Sequence, residues 1–135
     1  MRNQELGFNK EQVLVLESQA SSQQAALKQA IDKITGVRST SLGSSVPGGG
    51  NSSAYSEIEN KAGDLQIANL DLYFVDHSYI EQFDIKLLAG RGFSKDFASD
   101  STQAMVINEE TVKLLGYSNP QDAVSYTHLT LPTKA

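Results

Sequence analysis

Residues 66–76, from Gln66 to Asp76, read QIANLDLYFVD and carry the clearest indication of secondary structure in the sequence. Every second side chain falls on the same side of an extended chain, so the stretch divides into two faces. One face carries Ala68, Leu70, Leu72 and Phe74, and the other carries Asn69, Asp71, Tyr73 and Val75. This alternation is typical of a β-strand with one covered face, and we predict a strand here.

The sequence on either side predicts further elements. Asp76 is placed to cap a short helix that contains Tyr79, Ile80 and Phe83. Upstream, residues 47–53 read PGGGNSS, which is typical of a loop, and 55–59 are predicted to begin a strand that pairs back.

Two more segments are predicted nearer the N-terminus. A helix from Ser22 to Ile34 is indicated by a Ser21–Gln24 capping box and by Gly36 at its C-terminal end. Its predicted apolar face consists of Leu27, Ala30, Ile31 and Ile34. We also predict a strand buried on both faces at residues 13–16 and an edge strand at residues 37–46.

The C-terminal half predicts a strand followed by a helix. Residues 104–107 form a short apolar run, after which Asn108 is placed to cap a helix. Glu109 and Glu110 then lie in the first turn, where the helix dipole favours negative charge, and Gly116 ends the helix. Strands and helices therefore alternate irregularly, which predicts an α+β domain with mixed sheets and short helices, with a layered α/β domain as the alternative.

Composition limits the class of function. The chain has 135 residues, no cysteine, and a net charge of −5, with a pI near 4.9. Acidic proteins are repelled by phosphate backbones and anionic lipid surfaces, so we expect no nucleic-acid partner. No apolar run approaches the roughly 20 residues that span a bilayer, and the N-terminus lacks the apolar core of a signal peptide.

No catalytic, cofactor-binding or metal-binding residue is predicted. Gly48 to Gly50 lacks the lysine and following helix of a phosphate loop, so a flexible loop is favoured. His77 has acidic neighbours, but Asp76 is better explained as a helix cap and His77 as a surface residue. No nucleophile elbow accompanies the many serines.

Four residues are candidates for structural or partner-contact roles: Arg91, Phe93, Tyr73 and Tyr79. Arg91 lies between two glycines and is predicted to bind nearby carbonyls or carboxylates, with a partner contact as the alternative. Phe93 is predicted to anchor the turn in the core. Tyr73, Tyr79 and Phe97 form either an exposed aromatic patch or part of the core.

The order of several segments resembles a known family. Residues 6–15 read LGFNKEQVLV, residues 87–94 read LLAGRGFS, and residues 104–109 read AMVINE. With the helix that ends at Gly36-Val37 and the stretch from Asp76 to Phe83, they resemble the extracytoplasmic part of MacB/FtsX-like permeases of ABC transporters. The resemblance extends over residues 6–123.

The resemblance implies a periplasmic core domain between the first two membrane helices of a bacterial inner-membrane permease. It implies a separate cytoplasmic ATPase subunit, a permease dimer, and contacts with a periplasmic accessory protein or cargo, without catalysis by this domain. The alternative function is a stand-alone periplasmic module that binds a small solute or glycan in a pocket at Tyr73 and Tyr79. A small hydrolase has the least support.

The C-terminus departs from the family pattern. We expect residues 1–124 to be a partial periplasmic core domain, truncated at its C-terminal end. Residues 125–135 read SYTHLTLPTKA, which resembles the translation of a cloning or adapter sequence. The alternative is a native strand, since apolar and polar side chains alternate in this tail.

Overall fold

A computed structural model describes residues 7–19, 21–124 and the backbone of 129–130. The chain folds as an α+β unit around a hairpin of two antiparallel strands, β1 (Ser52–Glu59) and β2 (Leu65–Leu72). The register runs from Ser52 opposite Leu72 to Glu59 opposite Leu65. A two-residue strand β3 (Leu129–Thr130) pairs antiparallel with β1, giving the order β2-β1-β3.

Short helices accompany the sheet. They are α1 (Gln24–Asp32), α2 (Tyr79–Gln82), α3 (Glu109–Leu114) and α4 (Pro120–Ala123), with a 3-10 turn at Ala98–Ser101. The α+β class is confirmed. The expected mixed sheet is wrong, because every strand pair in the described residues is antiparallel.

The strongest local signals gave correct elements. Strand β2 buries alternate residues more deeply, including Ala68, Leu70 and Leu72, as the period of two predicts. The strand ends at Leu72, and Phe74 beyond it is exposed. The predicted return strand is β1, which begins three residues earlier than expected because the loop ends before Ser52.

Helices α1 and α3 were also predicted correctly. In α3 the Asn108 side chain accepts a hydrogen bond from the Thr111 backbone N–H, and Gly116 follows the helix at φ +85°. Glu109 and Glu110 lie in its first turn. Helix α1 forms over a shorter range than predicted, with Gly36 beyond it at φ +96°.

The predicted capping box of α1 does not form. The Ser21 hydroxyl accepts from the Gln23 backbone N–H, one residue earlier than the box requires. The Gln24 amide instead donates to the Gln19 carbonyl. Both contacts stabilise the turn that precedes α1. Ser21 and Gln24 therefore hydrogen-bond within that turn and do not cap the first turn of the helix.

Three predicted strands are absent from the described residues. Residues 13–16 run without a paired strand, and Leu14 is 83% exposed instead of buried. Residues 37–46 contribute only an isolated bridge between Gly43 and Val75, and residues 104–107 join no sheet. An apolar run is buried as a strand only when other strands flank it, and these runs have no such neighbours in the described chain.

The core is small and lies where β1 meets the C-terminal half. Its buried apolar residues are Ile58, Tyr79, Phe83, Val112, Leu115 and Ala123. The rings of Tyr79 and Phe83 pack with their centroids 4.9 Å apart and their planes tilted by 54°. The Lys61 backbone N–H donates to the Leu115 carbonyl at 2.8 Å, which ties the hairpin turn to the end of α3.

In the described part of the chain, no helix combines the length and apolar content that crossing a bilayer requires. Of the predicted cloning-derived tail, residues 125–135, only the backbone of 129–130 lies within the described residues. Those two residues pair with Glu57 and Ile58 of β1.

Candidate partner-contact surface

Arg91 holds together the turn that follows Gly90. Its guanidinium donates two hydrogen bonds to the Asp100 carboxylate, at 2.6 and 2.9 Å, and one to the Gly92 carbonyl at 2.9 Å. The guanidinium carbon also lies 4.1 Å from the centroid of the Phe97 ring. A two-pronged contact with a carboxylate and a stacked ring fixes the planar group in one orientation.

Asp100 is the centre of this turn, and its side chain is almost covered. Besides Arg91, the carboxylate accepts a hydrogen bond from the Ser94 backbone N–H at 2.9 Å. The Arg91 hydrogen bonds, with that of Ser94 and the nearby positive charge, lower the pKa of Asp100 to about 2. The carboxylate is therefore ionised across the neutral range and binds segment 90–100 into one loop.

Acid should weaken this loop selectively. Because the pKa of Asp100 is lower in the folded chain than its unfolded value of about 3.9, its contribution is present above that value and is lost as pH falls toward about 2. We expect the difference in urea midpoint between the wild type and Arg91→Ala to be constant above pH 4 and to shrink below it. Lys113→Ala, which removes an exposed ion pair, should lower the midpoint far less at every pH, because exposed ion pairs contribute little to stability. A difference at pH 2.5 that is as large as the difference at pH 7 would contradict the assignment.

The remaining predicted contact residues are divided between core and surface. Phe93 is half-buried beside this turn. Tyr79 is buried, and its hydroxyl donates to the Ser45 carbonyl at 2.7 Å. Burial, with a smaller contribution from the charge of Tyr73, raises the pKa of Tyr79 to about 12. Tyr73 is partly exposed and its hydroxyl donates to the Gly49 carbonyl at 3.4 Å.

These positions divide the three aromatic residues between the two predicted alternatives, the core and an exposed surface. Tyr79 belongs to the core, whereas Phe97 is exposed and stacks with Arg91. The three rings therefore do not form one exposed surface. A ligand-binding module would need a pocket at Tyr73 and Tyr79. Tyr79 is instead buried in the core, so its ring does not line an open pocket. An open groove exists elsewhere, between Ser18 and Leu27, and it is lined mainly by serine and glutamine side chains.

The Asp76–His77–Ser78 segment holds a helix in place. One Asp76 oxygen accepts from the Ser78 backbone N–H at 3.1 Å. The prediction that Asp76 caps the helix is wrong, because the N-cap of α2 is Ser78 and no side chain caps the helix. The other Asp76 oxygen accepts from the Lys28 ammonium group at 2.6 Å, and that group also reaches the Ser78 hydroxyl at 3.3 Å. Asp76 thus fixes α1 to the start of α2, a role for Lys28 that no local pattern indicated.

The same segment does not have the geometry of a catalytic triad. The Ser78 hydroxyl lies 3.2 Å from His77 Nε2. Asp76, the nearest acid in sequence, has its two oxygens directed to Lys28 and to the Ser78 backbone rather than to His77. Within the ranges that the structure describes, no three histidine or acidic side chains converge on a metal site.

Two of the apolar surfaces that the described chain leaves uncovered lie in its N-terminal part. The first is the N-terminal run of Leu14, Val15 and Leu16, all of them exposed. The second lies on α1, none of whose residues is buried and whose Leu27 faces outward together with Ile34 just beyond it. Helix α1 instead turns Lys28 toward the body. Exposed apolar surface of this kind is typical of protein contact sites.

A third exposed surface is the outer face of the hairpin, which the sequence did not single out. Its two strands present Ser53, Tyr55, Glu57, Glu59, Leu65, Ile67, Asn69 and Asp71. In the sequence, this surface corresponds to the second face of the alternating pattern in β2. On that face the apolar residues Leu65 and Ile67 precede the polar residues Asn69 and Asp71.

The comparisons with known proteins assign no family. No family model, curated protein or solved structure matches the chain.

Proposed function

We propose that this chain is the extracytoplasmic domain of a bacterial ABC-transporter permease of the MacB/FtsX type. In this role it is a non-catalytic contact domain that couples ATP hydrolysis in a separate cytoplasmic subunit to the export or handling of a cargo. The proposal is supported by the order of the segments in residues 6–123 that resemble this family. It assigns the domain to the periplasmic side of the inner membrane and to a permease dimer.

One structural observation carries the proposal. The described chain leaves the apolar side chains of α1 and of residues 14–16 uncovered, while its own core contains six apolar residues. Apolar surface of this kind is stabilised when another part of the protein or a partner covers it. A domain that works through contacts has this property, whereas an enzyme or a solute-binding module needs a formed pocket with converging polar groups.

The sidedness of the full-length protein tests the proposal. Since this chain contains no cysteine, a single cysteine can be introduced at exposed Ser118 in a cysteine-free background of the parent gene. We expect Ser118→Cys to react with a membrane-impermeant maleimide in intact cells and to fractionate with the inner membrane.

Ser56→Cys is the matched control, because Ser56 is fully buried and should react only after denaturation. Labelling of Ser118→Cys only after cell lysis, or recovery of the parent protein in the soluble fraction, would refute the assignment. Co-purification of an ATPase subunit with the membrane-bound protein tests the predicted partner.

A further inference from the structure

The outer face of the β1–β2 hairpin separates two kinds of side chain into neighbouring columns. Glu57 and Glu59 follow one another on β1, and Ile67 and Leu65 lie directly opposite them on β2. Side chains on one face repeat about every 6.8 Å along a strand, and the two strands lie about 4.8 Å apart. An acidic column therefore runs beside an apolar column.

The apolar column is open. Leu65 is 71% exposed and Ile67 is 67% exposed, and Tyr55 at the next position along β1 is 53% exposed. The opposite face of the same hairpin packs inward, with Ile58 fully buried. The exposed aliphatic groups therefore belong to a sheet whose inner side already contributes to the core, and the described chain places nothing over their outer side.

The charge on this face has one sign. Glu57, Glu59 and Asp71 are its only charged side chains on the two strands, and none is basic. The Ser53 hydroxyl donates a hydrogen bond to the Asp71 carboxylate at 2.6 Å, which lowers the pKa of Asp71 and keeps it ionised.

We propose that this hairpin face is a docking site for a cationic amphipathic helix of a protein partner. Lysine or arginine side chains along one flank of such a helix would lie over Glu57 and Glu59, and apolar side chains would cover Leu65 and Ile67. A helix about 10 Å wide covers both columns, and a helix packed on a sheet face is a common layer arrangement.

Charge complementarity selects this occupant over the others. The acidic column repels anionic lipid headgroups and nucleic acid, and a second copy of the same acidic face would be repelled as well. The inference deepens the proposed function by naming the chemistry of a partner. Binding of the helix is measured on the isolated chain, whereas sidedness is measured on the full-length protein in cells. Either experiment can therefore fail while the other succeeds.

Binding to synthetic peptides tests the proposal. The probe is a fluorescent 14-residue helical peptide of leucine, alanine and lysine, with lysines on one flank. Two matched peptides replace every lysine by glutamate or every leucine by serine. We expect the chain of residues 1–135 to bind the first peptide at least about tenfold more tightly than either of the others, and to lose affinity as salt is raised from 50 to 500 mM.

Matched variants locate the site. Glu57→Gln with Glu59→Gln should weaken binding about fivefold or more, whereas the same two neutralisations at Glu109 and Glu110 on α3 should change it less than twofold. Equal losses in the two double variants, or equal affinity for the glutamate peptide, would overturn the proposal. Circular dichroism confirms that each variant is folded.

A second measurement locates the bound peptide without substitutions that weaken binding. A fluorophore attached to Asn69→Cys, at the centre of the face, should change its emission when the lysine peptide binds. The same fluorophore on Ser118→Cys should not respond. A response at position 118 alone would place the peptide elsewhere and refute the proposed site.

Discussion

Leu115→Ala is expected to lower the free energy of unfolding by about 2–5 kcal/mol, the range for truncating a buried leucine. Leu115 is completely buried and its carbonyl receives the hydrogen bond that ties the hairpin turn to α3. A domain is typically stable by only about 5–15 kcal/mol, and this one has a small core. Urea unfolding followed by circular dichroism should therefore show a variant that is close to unfolding.

The same substitution at Leu16 is the control. Leu16 is exposed, so Leu16→Ala should change the free energy of unfolding by less than about 0.5 kcal/mol. If it costs as much as Leu115→Ala, residues 13–16 are buried in solution, as the sequence pattern predicted and the structure contradicts.

Gly43→Ala is expected to have the next largest effect, about 1–3 kcal/mol, by overpacking. A Cβ atom at position 43 would lie 2.5 Å from Cε2 of the Tyr79 ring and 2.9 Å from its Cδ2. The ring cannot move away freely, because Tyr79 is buried against Phe83 and its hydroxyl is bound to the Ser45 carbonyl. The measurement is the urea midpoint.

Gly50→Ala separates this effect from a general cost of replacing loop glycines. A Cβ at position 50 meets no atom within 4 Å, and Gly50 does not have a positive φ. Its replacement should be neutral or slightly stabilising, since alanine restricts the unfolded chain more than glycine does. Equal destabilisation by the two variants would show that the close approach to Tyr79 is not the cause.

The elements that the sequence predicted correctly are those specified by neighbouring residues. Asn108 and Gly116 mark the two ends of α3, and the alternation from Gln66 onward identifies β2 within a few residues. These signals act over a few residues, so no knowledge of distant segments is needed.

The predictions that failed depended on distant partners. Residues 13–16 and 104–107 have the composition of buried strands, but pairing decides whether such a run joins a sheet. For the same reason Asp100 could not be named as the partner of Arg91, nor Lys28 as the partner of Asp76, since the chain path alone brings each pair together. The glycines around Arg91 indicated an unusual turn, but they did not indicate which residues contact Arg91 within it.

Helix α1 is attached to the body by the contacts of Lys28 with Asp76 and Ser78, and by a hydrogen bond from Thr40 to Asp32. Since none of its residues is buried, releasing it uncovers little apolar area. Such a release would carry almost no heat-capacity increment and almost no urea dependence. Calorimetry would therefore miss it, whereas amide exchange measured at rising ionic strength would detect the helix loosening ahead of global unfolding.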